Sequence, residues 1–199
     1  MLALLIATSM LATAVGGAHA TRLRLSSNTF RIVWSEMRFV TNAGVRLTCA
    51  VTLEGEFESP AFAKTNNLRF GSVTRAIPSC PSSIRFLIGT AWNVVYESFQ
   101  GTLPNITTMG FRINGFAFEW IGALYTCLYK AEASQPLVFT AFRNTMTSQI
   151  TRVDTAGILP IPPFSGVFCT NARDETTVAG AGAITIRGEG EAVYLTLIT

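Results

Sequence analysis

Val45–Phe57 reads VRLTCAVTLEGEF. Val45, Leu47, Cys49, Val51 and Leu53 fall on alternate positions, with Arg46, Thr48, Thr52 and Glu54 between them. Successive side chains of a strand point to opposite faces, so this alternation predicts a strand with one buried face. On a helix the same residues would scatter around the surface. TFRIVW (29–34), SVTRAI (72–77), WNVVYESF (92–99), ALYTCLYKA (123–131), PLVFTAF (136–142), QITRV (149–153), AITIR (183–187) and AVYLTLI (192–198) are also short and rich in β-branched and aromatic residues. Gly, Pro, Asn and Ser separate them, which is how strands are punctuated. No segment after residue 20 carries sustained helical periodicity. The expected fold is all-β: an antiparallel β-sandwich or barrel of roughly ten to twelve strands.

Two features refine that expectation. In FRINGFAF (111–118), Asn114-Gly115 lies between two apolar runs. Asn-Gly suits the positive φ angles of a type I′ turn and predicts a β-hairpin; the competing reading is one long strand bulged at Gly115. The chain also looks internally repeated. FRIVWSEMRFVTNAGVRLTCAV starts at Phe30 and FRINGFAFEWIGALYTCLYKA at Phe111. Both run from Phe-Arg-Ile through an aromatic stretch to Thr-Cys, and each is followed by one more cysteine, Cys80 and Cys169. Repeats of this length suggest two similar β units, over 29–91 and 110–175, within one domain of residues 21–199. Chance is the competing reading of so short a match.

Residues 2–15 are almost wholly apolar, and small residues follow, ending in Ala18-His19-Ala20. This is the pattern of a secretory signal peptide over residues 1–20, although the usual positive n-region is absent. An uncleaved anchor is the alternative, but the apolar run is shorter than the ~20 residues of a spanning helix. Cleavage after Ala20 would remove His19, the only histidine of the chain. No transmembrane span is expected after cleavage.

Behind a secretion signal, an even number of cysteines reads as a disulfide framework. The four are Cys49, Cys80, Cys127 and Cys169, and three pairings are open. If the repeat holds, the pairs are Cys49–Cys80 and Cys127–Cys169. Each bond would close a loop of about 30 to 40 residues and stabilise by roughly 3–4 kcal/mol. A metal site is not expected, because no two cysteines have C-x-x-C spacing.

CAVTLEGEF (49–57), VTRAI (73–77), WNVVYESFQGTLPNIT (92–107) and TCL (126–128) resemble a group of uncharacterised secreted proteins of soil actinobacteria. The resemblance covers most of the chain after residue 20. It implies bacterial origin, secretion and an all-β build, and it carries no assigned activity or site residues. The sequon Asn105-Ile106-Thr107 would be accidental in such a host, and marks an exposed turn after Pro104.

Composition narrows the function. Hydrophobic residues make up 49% and charged residues 14% of the chain, which excludes disorder. The net charge is +3, with Lys64 and Lys130 the only lysines and the arginines spread singly. A nucleic-acid partner normally meets a clustered basic face, and none is expected here. Without His19, neither a Ser-His-Asp triad nor a Cys-His pair can be built. Neither FAKTN nor LYKAE marks Lys64 or Lys130 as a catalytic base. No catalytic residue and no cofactor site is expected.

Paired carboxylates remain as a candidate chemistry. Glu54, Glu56 and Glu58 alternate onto one strand face, where three adjacent acids repel and should point into water. Glu189 and Glu191 read the same way. Glu97 and Glu119 lie among aromatics, which can raise a carboxyl pKa, but an outer strand face explains them as well. Asn171, Asp174 and Glu175 offer oxygens without the spacing of a calcium loop. AGAGAITIRGEGE (179–191) is glycine-rich but lacks the helix a phosphate loop needs. Pro160 and Pro163 read as a stiff connector. Core packing is the expected reading of Trp34, Trp92 and Trp120 alike; of the three, Trp120, near the expected turn, is the best candidate for exposure and ligand stacking. The resulting expectation is a secreted, disulfide-stabilised, non-enzymatic β protein, a binding or structural module for extracellular glycan or protein. The alternative is a carboxylate-based glycoside hydrolase.

Overall fold

The computed structural model describes residues 22–42, 44–80, 83–88, 92–121, 126–132, 134–160 and 175–198. The strands of the first half are β1 (Arg22–Leu25), β2 (Thr29–Thr41), β3 (Arg46–Phe57), β4 (Ala61–Ala63), β5 (Arg69–Ser79), β6 (Ser83–Phe86) and β7 (Trp92–Thr102). Those of the second half are β8 (Asn105–Asn114), β9 (Ala117–Ile121), β10 (Thr126–Lys130), β11 (Leu137–Arg143), β12 (Ile150–Pro160), β13 (Glu175–Thr185) and β14 (Leu195–Ile198). No helix occurs among the described residues. The fold is therefore all-β, and every strand pair in it is antiparallel.

Eight strands close into a barrel in the order β11-β12-β13-β2-β3-β5-β7-β8. Closure leaves no full-length sheet edge in the barrel. Among the described residues, two three-stranded sheets accompany the barrel, in the orders β14-β1-β4 and β10-β9-β6. The described strands outnumber the expected ten to twelve because the two small sheets use strands of three to five residues, such as β4 and β6, too short to show a period.

The alternation in Val45–Phe57 holds from its third residue. Leu47, Cys49, Val51, Leu53 and Phe57 face inward and are at most 9% exposed. Val45 precedes the strand and is 47% exposed. The barrel interior is packed with aromatic rings. Phe57 stacks on Phe70 at 5.7 Å, Phe111 on Phe139 at 5.3 Å, and Trp34 tilts against Phe139 at 5.8 Å.

One small sheet sits at each end of the barrel. At the end where β2 begins, β4 places Phe62 on Phe70 at 4.4 Å, and β1 buries Leu23 and Leu25. At the end where β2 finishes, Phe39 meets Phe118 of β9 edge-on at 5.0 Å. The first sheet joins the two ends of the described chain, with Arg22 opposite Ile198. The second is built from the middle of the chain.

The Asn114-Gly115 turn corrects the hairpin expectation. Gly115 has φ +83°, but Asn114 is not in the left-handed region that a type I′ turn demands of both residues. β8 and β9 belong to different sheets, so this is neither a hairpin nor one bulged strand. The turn hands the chain from barrel to end sheet, and Phe116, fully buried, anchors the crossing. The two Phe-Arg-Ile triplets both lie in barrel strands, β2 and β8. Their Thr-Cys partners lie apart, in barrel strand β3 and end-sheet strand β10.

Candidate functional site

Cys49 and Cys80 form a disulfide with Cα atoms 4.6 Å apart, as the repeat predicted. It ties β3 to the residue that follows β5. The bond lies at a weak point of the barrel. β5 pairs with β7 only from Arg69 to Val73, and its remaining residues to Ser79 pair with β3 alone. Cys127 is disulfide-bonded. The expected partner, Cys169, lies outside the described residues, as do the leader with His19, Asn171, Asp174 and Pro163.

The acidic triplet does face outward, but its members are paired with arginines from remote parts of the chain. Glu54 lies between Arg31 of β2, at 3.7 Å, and Arg75 of β5, at 3.6 Å. Glu56 meets Arg187 at 2.8 Å and Glu58 meets Arg69 at 2.6 Å. Glu119 of β9 is paired with Arg85 of β6, whose Nε donates to it at 2.9 Å. Glu97 is half-buried on β7, Glu189 and Glu191 are exposed beyond β13, and Glu175 opens β13. Among the described residues no group of three His, Cys, Asp or Glu side chains is placed to hold a metal. Lys64 lies over the Phe99 ring at 5.4 Å, and Lys130 is exposed at the end of β10.

All three tryptophans are buried. Trp34 is fully enclosed, and its Nε1 donates to Val153 O of β12 at 3.1 Å. This explains the glycines of AGAGA. A Cβ on Gly182 would lie 2.8 Å from Trp34 Cδ1, and one on Gly180 would lie 3.1 Å from the same atom. β13 is glycine-rich so that the indole can lie beneath it. Trp92 donates to Leu87 O at 3.0 Å and packs on Phe116 at 4.8 Å. Trp120, the candidate for exposure and stacking, is core as well. It is 8% exposed on β9, opposite Cys127 and Ile84, and offers no open ring face for stacking.

The interior is nearly full. It leaves an apolar cavity of about 20 Å³, lined by side chains that include Leu25, Phe30, Phe57, Phe111 and Ile184. That is room for about one water-sized body. A second depression lies outside, where β2 bulges between Trp34 and Met37; Glu36, Arg38 and Gly180 line it. A glycosidase needs two carboxyl groups facing each other across a concave site, about 5–5.5 or 6.5–9.5 Å apart. The first of these cavities holds no acid and the second holds Glu36 alone.

Two polar groups that the sequence did not single out matter to the architecture. Arg143 donates from Nε to Leu195 O at 2.8 Å, from Nη1 to Ile106 O at 3.0 Å and from Nη2 to Ser148 Oγ at 2.7 Å. It pins β14 to the barrel. No local pattern announces it, because its acceptors are backbone carbonyls and a hydroxyl. Tyr96, 2% exposed beside Phe62, has its phenol pKa pushed up by burial.

The barrel is apolar inside and carries ion pairs outside. A lipid-embedded barrel has the reverse arrangement. No helix among the described residues is long and apolar enough to cross a membrane. No protein-family model, curated protein or solved structure matches the chain.

Proposed function

We propose that this chain is a secreted, disulfide-stabilised, non-enzymatic module that binds an extracellular or cell-surface component through its outer surface. The observation that carries this reading is the filled barrel. Aromatic side chains occupy the space in which a barrel such as a lipocalin holds its ligand, so recognition falls to the exterior. The Cys49–Cys80 bond is compatible with an oxidising compartment, and the leader and the actinobacterial resemblance point the same way.

The test begins with protein exported by a native-like host. Its intact mass should start at Thr21 and be four hydrogens below the reduced form. That protein is then offered to immobilised extracellular polysaccharides and to an extracellular protein extract, with reducing ends assayed in parallel. Retention without release of reducing ends supports the proposal. Release of reducing ends would instead establish a carboxylate-based glycoside hydrolase, and no retention on any surface would reject a binding role.

A further inference from the structure

The β14-β1-β4 sheet covers one end of the barrel with its inner face and turns its outer face to solvent. β1 decides what that outer face carries. Leu23 and Leu25 point inward and are at most 1% exposed, while Arg22 and Arg24 point outward and are exposed. The register places Ala63 and Ile198 beside Arg22, and Ala61 and Thr196 beside Arg24. None of these neighbours is charged, and three of them are short, so the two guanidinium groups stand above a flat floor. Arg22 Nη2 donates to Ala61 O at 3.0 Å, which lays its head group along the sheet.

Seven other arginines are within ion-pair distance of a carboxylate. Among the described residues, Arg22, Arg24, Arg46, Arg112 and Arg143 are not, and of these Arg22 and Arg24 alone share one strand face. This sheet face thus carries, among the described residues, two neighbouring cations without a compensating acid.

We propose that the outer face of the β14-β1-β4 sheet binds an acidic polysaccharide, with Arg22 and Arg24 each receiving one carboxylate of an extended chain. The proposal rests on the extracellular-binding reading and names its surface and ligand class. A planar guanidinium matches a carboxylate with two parallel hydrogen bonds. Side chains two residues apart on a strand are separated by about 6.5–7 Å, so the pair fits two spaced anions rather than one compact one. The charge is too sparse for the alternatives. Nucleic-acid binders commonly neutralise about 6–10 phosphates, and basic clusters that hold anionic membranes carry about 4–8 cations. The floor of Ala61, Ala63, Thr196 and Ile198, with three short side chains of four, also leaves room for a sugar ring to lie against the sheet.

The test is retention of the full chain on immobilised polygalacturonate, with columns of a neutral dextran, double-stranded DNA and phosphatidylglycerol vesicles beside it. Retention on polygalacturonate is expected at low salt and should weaken as salt screens the contact. Arg22→Gln/Arg24→Gln should reduce it at least tenfold, and Arg24→Glu alone should do so too. Arg46→Gln, at the opposite end of the barrel, should leave it unchanged. Unaltered thermal melting of the variants excludes an effect through folding. Retention that survives the double substitution overturns this surface while leaving the binding role intact. Equal or tighter Arg22/Arg24-dependent retention on DNA or vesicles overturns the ligand class. If this column fails but another extracellular polysaccharide or protein retains the chain, the proposal fails alone; if nothing retains it, the proposed function fails with it.

Discussion

The two ends of the barrel are closed by different physical means. The β14-β1-β4 end is assembled from the two ends of the described chain. It is held by the Phe62–Phe70 stack and by the three hydrogen bonds of Arg143. The β10-β9-β6 end comes from the middle of the chain. Phe86, Phe116 and Phe118 cluster there, the Arg85–Glu119 pair joins two of its strands, and the Cys49–Cys80 bond lies close by. The barrel wall is thinned at both ends, and the two gaps are covered differently. At the first end β7 runs on from Glu97 to Thr102 with β8 as its only ladder partner, and the end sheet packs Phe62 against Tyr96 where β7 parts from β5. At the second end β5 loses its β7 partner beyond Val73, and the seam is filled with rings and backed by a covalent bond.

Substitutions at each end sharpen that contrast. The largest effect is expected from Phe118→Ala. The side chain is fully buried between Phe39 and Tyr129, and its loss should cost about 3–5 kcal/mol in urea unfolding. A cost below ~1 kcal/mol would mean that the rings do not close the seam.

Next comes Cys49→Ser/Cys80→Ser, which opens a crosslink of sequence separation 31 and should cost about 3–4 kcal/mol. Hydrogen exchange should rise most in residues 74–80, where β5 has one neighbour. A uniform rise across the barrel would mean that the bond does not act locally on β5.

At the other end, Arg143→Met should cost about 2 kcal/mol, because three acceptors lose a charged donor. Faster exchange confined to β14 and β1 is the expected signature.

The smallest effect is pH-dependent and belongs to the same end. Burial raises the Tyr96 pKa above its ordinary value of about 10, so the neutral phenol is the form that stabilises the fold. Its contribution is complete below about pH 10 and is lost as pH rises through the raised folded value. Tyr96→Phe should leave the midpoint of urea unfolding nearly unchanged at pH 7 and flatten its decline above pH 10. An unchanged alkaline decline would mean that Tyr96 ionisation does not set the alkaline limit of the fold.

How much of this was legible depends on whether the signal was local. The strand at Val45–Phe57 was readable because burial on one face imposes a period of two on consecutive residues. The outward direction of Glu54 and Glu56 followed from the same period. Their partners did not, since Arg187 lies 131 residues from Glu56 and comes together with it only through barrel closure. Asn114-Gly115 correctly marked a turn, but a turn signal reports local backbone angles and not which sheet the next strand joins. The exposure weighed as an alternative for Trp120 fails for the same reason. A position near a turn suggests exposure, whereas the end sheet folds that turn's neighbour into the core. The glycines of β13 carried a real message, room for Trp34, that no sequence rule connects to an indole 148 residues earlier in the case of Gly182.

The barrel is filled with side chains and covered at both ends by the small sheets. Acrylamide quenching of tryptophan fluorescence tests it most directly, because the three indoles sample the barrel interior, the seam and one end sheet. Blue-shifted emission and quenching far below that of the urea-unfolded chain are expected for all three, since Trp34, Trp92 and Trp120 are at most 8% exposed. Quenching of the folded protein close to the unfolded value would contradict it and would mean that the barrel is open to solvent.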